Sequence, residues 1–527
     1  PDQRAPEGEQ LLLDVQALAA GREFLALGTF AVSPNGRLAA YSIDTTGDER
    51  YQLFFLDLIT GALLPDQLPE VAAGGDWALD DAFCYLTVDD SWRPDQLWRH
   101  RLGSPDPDEL LLTEPDERFW LGVDASRDHR WLIVSAASKD STECWIADLT
   151  VPGEPLHSVS GRTEGLEYDV EVANDRLFIV HNLDAPDFAL AEADFDCRSV
   201  GQWRPIWPGE LGVRLLGVTA YDRCLVAGVR RRGLATITLR PRDAKGDLGA
   251  EVELEFDEPL YQVDADDGDE ADTDRIRFAF QSMVTPDQVM ELSLVDGSRR
   301  LLRSRTVLDH PHWGQYRPED YRQRQEWATA ADGTRVPISL VYRADTPLDG
   351  SAPCLLYGYG AYEASTPVSF SIARLSLLDR GCIYAIAHVR GGGELGRSWY
   401  ENGRLTRKIN TFTDFLACAT HLVDAGYTSR DRLGIEGGSA GGLLIGAVLN
   451  LDPECCAAAL AAVPFVDALN TMLDPELPLT IVEWEEWGDP VHDRAAYQLM
   501  RSYSPYENIR PVRYPSLLVT ANLNDTR

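Results

Sequence analysis

The chain has 527 residues, of which 44% are hydrophobic and 25% are charged, and its formal net charge is -37. This length exceeds what one core usually supports, so two domains are expected. The negative charge argues against a nucleic-acid partner, because phosphate binding needs clustered Lys and Arg. No apolar run approaches the roughly 18 residues of a membrane span, and no signal peptide is visible, so we expect a soluble, cytoplasmic protein without a membrane partner.

Nine cysteines are scattered singly apart from Cys455 and Cys456, and none forms a C-x-x-C pair. This spacing favours neither a zinc site nor a disulfide framework. We therefore expect no metal and no organic cofactor. The sequence leaves the oligomeric state open.

The first half, from about residue 22 to residue 308, consists of short apolar runs between Asn, Asp and Gly turns. The stretch AVSPNGRLAAYSI (31–43) is typical, because Asn35 and Gly36 form a hairpin signal between two apolar runs. Such units recur about every 45 residues with about four strands each, as in propeller blades. Six complete blades fit, at 30–64, 72–113, 118–162, 166–208, 213–260 and 261–308, and residues 10–15 would be the outer strand of a further, incomplete first blade.

After residue 312 the pattern changes to continuous apolar strands that alternate with helical segments, as in a buried parallel sheet with flanking helices. The predicted strands are 354–359, 382–389, 432–436, 457–464 and 516–521, and the clearest helices are 411–425 and 442–450. The sequence therefore predicts a β-propeller domain over residues 1–312 and a second domain over residues 313–527 with a doubly wound, mostly parallel sheet.

The segment GGSAGG (437–442) lies between an apolar strand and an apolar helix and has the pattern of a nucleophile elbow. Small residues are needed two places before and after Ser439, because the strand-to-helix turn is tight and its strain pushes the serine Oγ above the sheet. The N–H of Ala440, at the helix start, can stabilise an oxyanion. This motif predicts an α/β-hydrolase domain, and a Gly-rich turn without chemistry is the alternative for the motif alone.

Further segments of the second half resemble the prolyl oligopeptidase family of serine peptidases, and within it the oligopeptidase B branch. They are LLYGYGAY (355–362), HVRGGGELG (388–396), NTFTDF (410–415), EWEEWGDP (483–490) and YSPYENI (503–509), in the family's order. The first half agrees in type with the family's seven-bladed propeller. The resemblance implies a serine endopeptidase that cleaves short peptides through an acyl-enzyme on Ser439.

The resemblance also implies roles for single residues. Tyr359 would supply a hydroxyl as the second oxyanion donor beside the Ala440 N–H, Asp525 would be the catalytic acid, and Arg527 would contact the substrate backbone. In the family the catalytic histidine follows the acid, whereas all nine histidines here precede Asp525. We therefore expect a chain truncated at both ends, with its histidine beyond residue 527 and little activity by itself.

Glu483 and Glu485 match the carboxylate pair that the resemblance assigns to the residue before the scissile bond. Residues two apart on an extended segment point the same way, so both carboxylates could converge on one guanidinium or ammonium. We therefore expect peptides with Arg or Lys at that position as substrates, and an acidic exposed loop is the alternative. Pro367 and Ser369 stand where members that select a second basic residue carry an acidic pair, which puts a dibasic preference in doubt.

Two other functions stay open from the sequence. The protein could be a prolyl oligopeptidase or acylaminoacyl peptidase in which the glutamates are incidental, and hydrolysis of arginyl against prolyl amides separates these. It could also be a non-catalytic propeller scaffold with a dead hydrolase domain, which would not react with a fluorophosphonate.

Overall fold

The first part of the chain consists mainly of antiparallel four-stranded units, which lie between Ala26 and Ser304. The computed structural model describes residues 10–522, apart from 174–175, 244, 266–267, 269 and 313. The expected outer strand at residues 10–15 is absent, and that expectation is wrong. Asp14 instead caps a short helix, α1 (Val15–Ala19), by accepting a hydrogen bond from Ala17 N at 2.9 Å, so the backbone is satisfied locally.

Six propeller blades follow within the described residues, each with four antiparallel strands, as the repeat predicts, and one residue pair, Val71 with Thr87, joins the first two blades. The first two blades are β1 (Ala26–Val32), β2 (Leu38–Asp44), β3 (Tyr51–Asp57) and β4 (Ala62–Val71), then β5 (Asp76–Leu79), β6 (Ala82–Val88), β7 (Pro94–Arg101) and β8 (Glu109–Thr113). The next two are β9 (Trp120–Ala125), β10 (Trp131–Ala137), β11 (Thr142–Asp148) and β12 (His157–Ser158), then β13 (Tyr168–Ala173), β14 (Arg176–His181), β15 (Ala189–Ala193) and β16 (Arg204–Trp207). The last two are β17 (Val213–Ala220), β18 (Cys224–Arg231), β19 (Leu234–Pro241) and β20 (Val252–Glu253), then β21 (Gln262–Ala265), β22 (Arg275–Gln281), β23 (Gln288–Ser293) and β24 (Arg299–Ser304).

The first strand of each blade faces a common central cavity of about 1090 Å³. Apolar side chains fill the space between neighbouring blades; for example, Trp131 of the third blade packs against Phe195, which follows β15 of the fourth. This arrangement explains why short apolar runs alternate with turns in the sequence. Each strand has a neighbouring blade on both faces, so both of its faces carry apolar side chains.

The described residues of the second domain form one seven-stranded sheet. Its strands are β25 (Tyr321–Thr329), β26 (Arg335–Arg343), β27 (Cys354–Gly358), β28 (Ile383–Ala387), β29 (Leu433–Gly438), β30 (Ala458–Ala462) and β31 (Ser516–Thr520). Their spatial order is β25-β26-β28-β27-β29-β30-β31, antiparallel as far as β28 and parallel from there on. The α/β-hydrolase prediction is confirmed, and the five predicted strands end within two residues of the observed ones.

The antiparallel hairpin of β25 and β26 was not predicted. Its turn contains Asp332 and Gly333, a hairpin signal, and follows a strand, β25, in which polar and apolar residues are mixed without strict alternation. The domain boundary expected between residues 312 and 313 falls in the connection from β24 to β25, and we keep it as a proposed boundary.

Helices cover both faces of the sheet. They are α2 (Ile372–Leu378), α3 (Arg397–Glu401), α4 (Ile409–Asp424), α5 (Ala440–Leu451), α6 (Ala468–Met472), α7 (Thr480–Trp487) and α8 (Arg494–Tyr503). One face packs against α4 and α5 through side chains such as Phe412, Phe415 and Leu444, and the other packs against α2 through Leu375 and Leu378. The predicted helices at 411–425 and 442–450 correspond to α4 and α5.

Ion pairs join the two domains. Arg397 of α3 contacts Glu167 of the propeller and Glu363 of its own domain, both at 2.7 Å. Arg214 of the propeller contacts the same Glu363 at 2.7 Å. The side chains are 10 to 19% exposed, so the four charges form a largely buried network that holds the propeller against the end of the sheet where β27 and β29 terminate.

Candidate active site

Ser439 stands on the strained turn between β29 and α5. Its φ is 54° and its ψ is -119°, a combination that non-glycine residues rarely adopt, and its side chain is exposed. The Ser439 N–H donates to Ala462 O at 2.9 Å, and the Ser439 carbonyl accepts from Gly442 N at 2.8 Å and Phe465 N at 3.1 Å. These bonds on both sides hold the turn in its strained form.

Glycine is required beside this serine because the backbone leaves no room for a Cβ atom. A Cβ at Gly437 would collide with Gly441 O and would lie 2.7 Å from Gly441 C. A Cβ at Gly442 would lie 2.5 Å from Pro464 Cα. The close packing explains the sequence pattern around Ser439 and agrees with a nucleophile elbow.

Tyr359 and Ala440 flank Ser439 because β27 and β29 are neighbouring parallel strands. Tyr359 follows the carboxyl end of β27, and Ser439 follows that of β29. Burial raises the pKa of Tyr359, while a hydrogen bond with the Ser439 side chain lowers it. Ala440 is the first residue of α5, so its N–H has no acceptor within the helix. Two donors thus lie beside the serine.

The segment with Glu483 and Glu485 is the helix α7, not an extended strand, and that expectation is wrong. Trp484 and Trp487 are three residues apart, which is a helical spacing, and Gly488 ends the helix, with its N–H bonded to Trp484 O at 2.8 Å. Side chains two apart on a helix diverge by about 200°, so the two carboxylates have different surroundings.

Glu483 points toward the nucleophile side of the site. Its Oε2 accepts from the Tyr362 hydroxyl at 2.6 Å and from Trp487 Nε1 at 2.8 Å. Burial raises the pKa of Tyr359 most, and the nearby Tyr357 and Glu483 raise it further. The Tyr359 and Tyr362 ring centroids are 6.3 Å apart, so Ser439, the two tyrosines and Glu483 form a continuous series.

Glu485 points toward the propeller. Its Oε2 accepts from the backbone N–H of Lys139 at 2.9 Å, and its Oε1 lies 3.6 Å from Arg118 Nη1. Burial, followed by the nearby Asp140 carboxylate, raises the pKa of Glu485. In this structure Glu485 therefore makes a domain contact, and the two glutamates do not converge from one face.

A third glutamate of the motif, Glu486, is completely buried and was not predicted as part of the site. It accepts from Tyr362 N at 3.2 Å and from the Tyr400 hydroxyl at 2.5 Å, and lies 4.0 Å from Lys408 Nζ. Lys408 in turn donates to Gly360 O at 2.7 Å. Burial lowers the pKa of Lys408 to about 8, against a smaller opposing effect of Glu486.

These buried groups connect α7 to the loop that carries Tyr359. Lys408 and Glu486 are 78 positions apart, so the motif around Glu486 gives no local signal of this pairing. Tyr362 and Trp487 belong to the segments LLYGYGAY and EWEEWGDP, but the sequence by itself predicts no role for either residue.

His388 forms an arrangement that imitates a catalytic triad. Its Nε2 lies 2.8 Å from Ser339 Oγ, and its Nδ1 lies 3.2 Å from Glu394 Oε1. Ser339 is 1% exposed and His388 and Glu394 are each 4% exposed, so no substrate reaches this serine. These contacts make His388 a hydrogen-bonded core residue.

The remaining predicted site residues are the catalytic acid, the residue for the substrate backbone and the pair that replaces an acidic pair. Asp525 and Arg527 lie outside the described residues. Pro367 and Ser369 lie on the loop before α2, where Ser369 O accepts from Arg374 Nη1 at 2.9 Å. Among the described residues, no group of three or more His, Cys, Asp or Glu side chains is arranged to hold a metal ion.

Comparison with known proteins agrees with this geometry. Residues 2–305 match the description "Prolyl oligopeptidase, N-terminal beta-propeller domain", and residues 368–527 match "Prolyl oligopeptidase family". The chain belongs to the prolyl oligopeptidase family. Within this family of serine peptidases it is an oligopeptidase B-like, serine-type oligopeptidase.

Relatives from this family cover nearly the whole chain. The chain is 38% identical to "Dipeptidyl aminopeptidase BI" of Pseudoxanthomonas mexicana over 99% of its length and 71% of the relative's. It is also 38% identical to "Protease 2" of Moraxella lacunata, over 98% of this chain and 74% of the relative. The solved structure "Oligopeptidase B from Trypanosoma brucei with covalently bound antipain - closed form" is similar with a TM-score of 0.93 and 36% identity, over 100% of this chain and 74% of that one.

The helices give one further finding. Among the described residues, no helix is both long enough and apolar enough to cross a membrane.

Proposed function

We propose that this oligopeptidase is an endopeptidase that cleaves short peptides after Arg or Lys through an acyl-enzyme on Ser439. The observation that carries the proposal is the Glu483 carboxylate, held by Tyr362 and Trp487 beside the tyrosine that contacts the nucleophile. A partly buried carboxylate next to an aromatic face binds guanidinium and ammonium groups.

In the proposed reaction the Ser439 Oγ attacks the scissile carbonyl carbon, and its proton passes to a histidine base. The carbonyl electrons move onto the oxygen, which accepts hydrogen bonds from the Tyr359 hydroxyl and the Ala440 N–H. Collapse of this intermediate expels the amine, which takes the proton from the imidazolium, and water then hydrolyses the acyl-enzyme by the same steps. Asp525 would orient the histidine, which the family resemblance puts after that acid.

In this proposal, Glu483 contributes more than Glu485 to the selection of substrates with a basic side chain. Glu483 supplies the charge next to the reaction centre, whereas Glu485 would have to exchange its contacts with Arg118 and the Lys139 N–H to join it. Arg527 remains proposed for the substrate backbone. The propeller touches α7 directly, which supports short peptides as substrates because a bulky folded protein would have to separate the two domains.

The specificity test uses the full-length enzyme with chromogenic arginyl and prolyl amides. We expect Glu483→Gln to lower kcat/KM for the arginyl amide about ten- to a hundredfold, since a charge-assisted hydrogen bond contributes about 1.5 to 3 kcal/mol. Glu454→Gln, an exposed glutamate of the same domain, is the matched control and should change nothing. A prolyl preference, or an unchanged arginyl rate in Glu483→Gln, would contradict the proposal.

The chemical role of Ser439 is tested by labelling with a fluorophosphonate. The full-length protein should be labelled at Ser439, and Ser439→Ala should not react. Antipain, which is bound covalently in the Trypanosoma brucei structure, should block the labelling. An unlabelled wild-type protein would instead favour a propeller scaffold with an inactive hydrolase domain.

A further inference from the structure

The turn between β10 and β11 brings a lysine of the propeller onto α7. Lys139 Nζ lies 3.6 Å from Glu483 Oε1 and 4.7 Å from the centroid of the Tyr362 ring. The Lys139 backbone N–H donates to Glu485 Oε2 at 2.9 Å and fixes the turn against the helix. A single propeller residue therefore contacts both glutamates and the aromatic ring.

The contacts of Glu483 make this lysine a competitor for substrate. The Oε2 atom already accepts from Tyr362 and Trp487, and the Oε1 atom faces the Lys139 ammonium. A substrate guanidinium or ammonium needs the same oxygen and the same ring face, so the two cations exclude each other.

We propose that Lys139 occupies the position of the substrate's basic side chain in the unliganded enzyme and is displaced when such a side chain binds. Lys139 is then a specificity-determining residue contributed by the propeller domain. The contact favours basic substrates in two ways. The Glu483 carboxylate attracts a cationic side chain, and a neutral side chain cannot displace the Lys139 ammonium from that carboxylate. The inference rests on the proposed function, whose cation site it describes more closely.

A lysine at position 139 suits a contact with Glu483 that has to break when substrate binds. The chain has 48 Lys and Arg residues, of which three are lysines, Lys139, Lys245 and Lys408. Arginine would pair with a carboxylate through two parallel hydrogen bonds, whereas lysine binds as a point charge. The 3.6 Å separation exceeds the roughly 2.7 to 2.9 Å of a charge-assisted hydrogen bond, and the Lys139 side chain is 31% exposed, so water and a competing cation reach it.

The kinetic test compares Lys139→Met with Lys245→Met in the full-length enzyme. Methionine is unbranched and only one atom shorter than lysine, and it keeps the backbone N–H to Glu485 but removes the charge. We expect KM for an arginyl amide to fall about two- to fivefold, the competition that a partly exposed ion pair provides, with kcat nearly unchanged. Lys139→Arg should raise KM, and Lys245, on an exposed turn of the same domain, should have no effect.

A second measurement does not depend on turnover. Acetylation of wild-type amines with an N-hydroxysuccinimide ester, read by peptide mass spectrometry, reports the accessibility of Lys139 with Lys245 as internal reference. Benzamidine, a small cationic probe, should increase the modification of Lys139 several-fold and leave that of Lys245 unchanged. Glu483→Gln should increase it without the probe.

The outcomes separate this inference from the proposed function. If benzamidine inhibits arginyl hydrolysis competitively but neither KM in Lys139→Met nor Lys139 acetylation changes, the competitor role is refuted and the proposed function stands. A higher KM in Lys139→Met also refutes it. If arginyl amides are not hydrolysed and benzamidine does not inhibit, both fail together.

Discussion

Replacing Gly437 by alanine should disable the nucleophile elbow, although the change adds a single methyl group. The new Cβ would collide with Gly441 O and lie 2.7 Å from Gly441 C and 3.0 Å from Gly358 O. All of these are backbone atoms of the strand end and helix start, so no flexible side chain can move aside. To restore ordinary van der Waals contact, the first turn of α5 must shift by about 1 Å.

The size of the effect follows from that displacement. A misplacement of about 1 Å in a reacting group lowers the rate by about a hundredfold, equivalent to about 2.7 kcal/mol of transition-state stabilisation. The overpacked turn should also lower the free energy of unfolding by about 1 to 3 kcal/mol. We therefore expect Gly437→Ala to fold with a reduced melting temperature and to lose about a hundredfold in kcat/KM.

Gly438→Ala is the matched control one residue along the strand. A Cβ at Gly438 meets Ala462 O at 3.4 Å and Ala462 Cβ at 3.6 Å, which are ordinary contacts. The assay is amide hydrolysis by the full-length enzyme, normalised to folded protein by thermal unfolding. Comparable loss of activity in both variants, or full activity in Gly437→Ala, would refute the argument that backbone crowding at this one position shapes the elbow.

Three further predictions concern neighbouring groups. Tyr359→Phe should lower kcat about 10²- to 10³-fold with a smaller change in KM, since one oxyanion donor is lost, and an unchanged kcat would exclude that role. Lys408 has a pKa of about 8 in the fold against 10.5 in the unfolded chain, so between these values the unfolded chain binds more protons and stability rises with pH. Urea unfolding at pH 7 and pH 9.5 should show a rise of about 2 kcal/mol that Lys408→Met lacks, and equal slopes in both proteins would contradict it. Ser339→Ala should leave the hydrolysis rate within about twofold but reduce stability by about 1 to 3 kcal/mol, because buried His388 loses a partner, whereas a large loss of activity would mean that the buried triad-like group is catalytic.

The sequence was sufficient for the architecture because its signals are local. Turn residues between short apolar runs predict the blades, and the alternation of strands and helices predicts five of the strands of the hydrolase sheet within two residues of their observed ends. The elbow motif is also local in sequence, although the atoms that crowd its glycines are partly distant, such as Pro464 beside Gly442 and Gly358 beside Gly437. The hairpin of β25 and β26 is less visible in the sequence because β25 mixes polar and apolar residues without strict alternation.

Tertiary structure decided which charged groups meet. The helical form of α7 directs Glu483 to the active site and Glu485 to the propeller, because helix geometry separates side chains that an extended chain would align. Lys139 and Glu483 are 344 positions apart, and no periodicity or motif relates them. Local patterning therefore determines where strands, helices and the nucleophile lie, while partners of buried or shared charges depend on long-range packing, which the order of residues does not display.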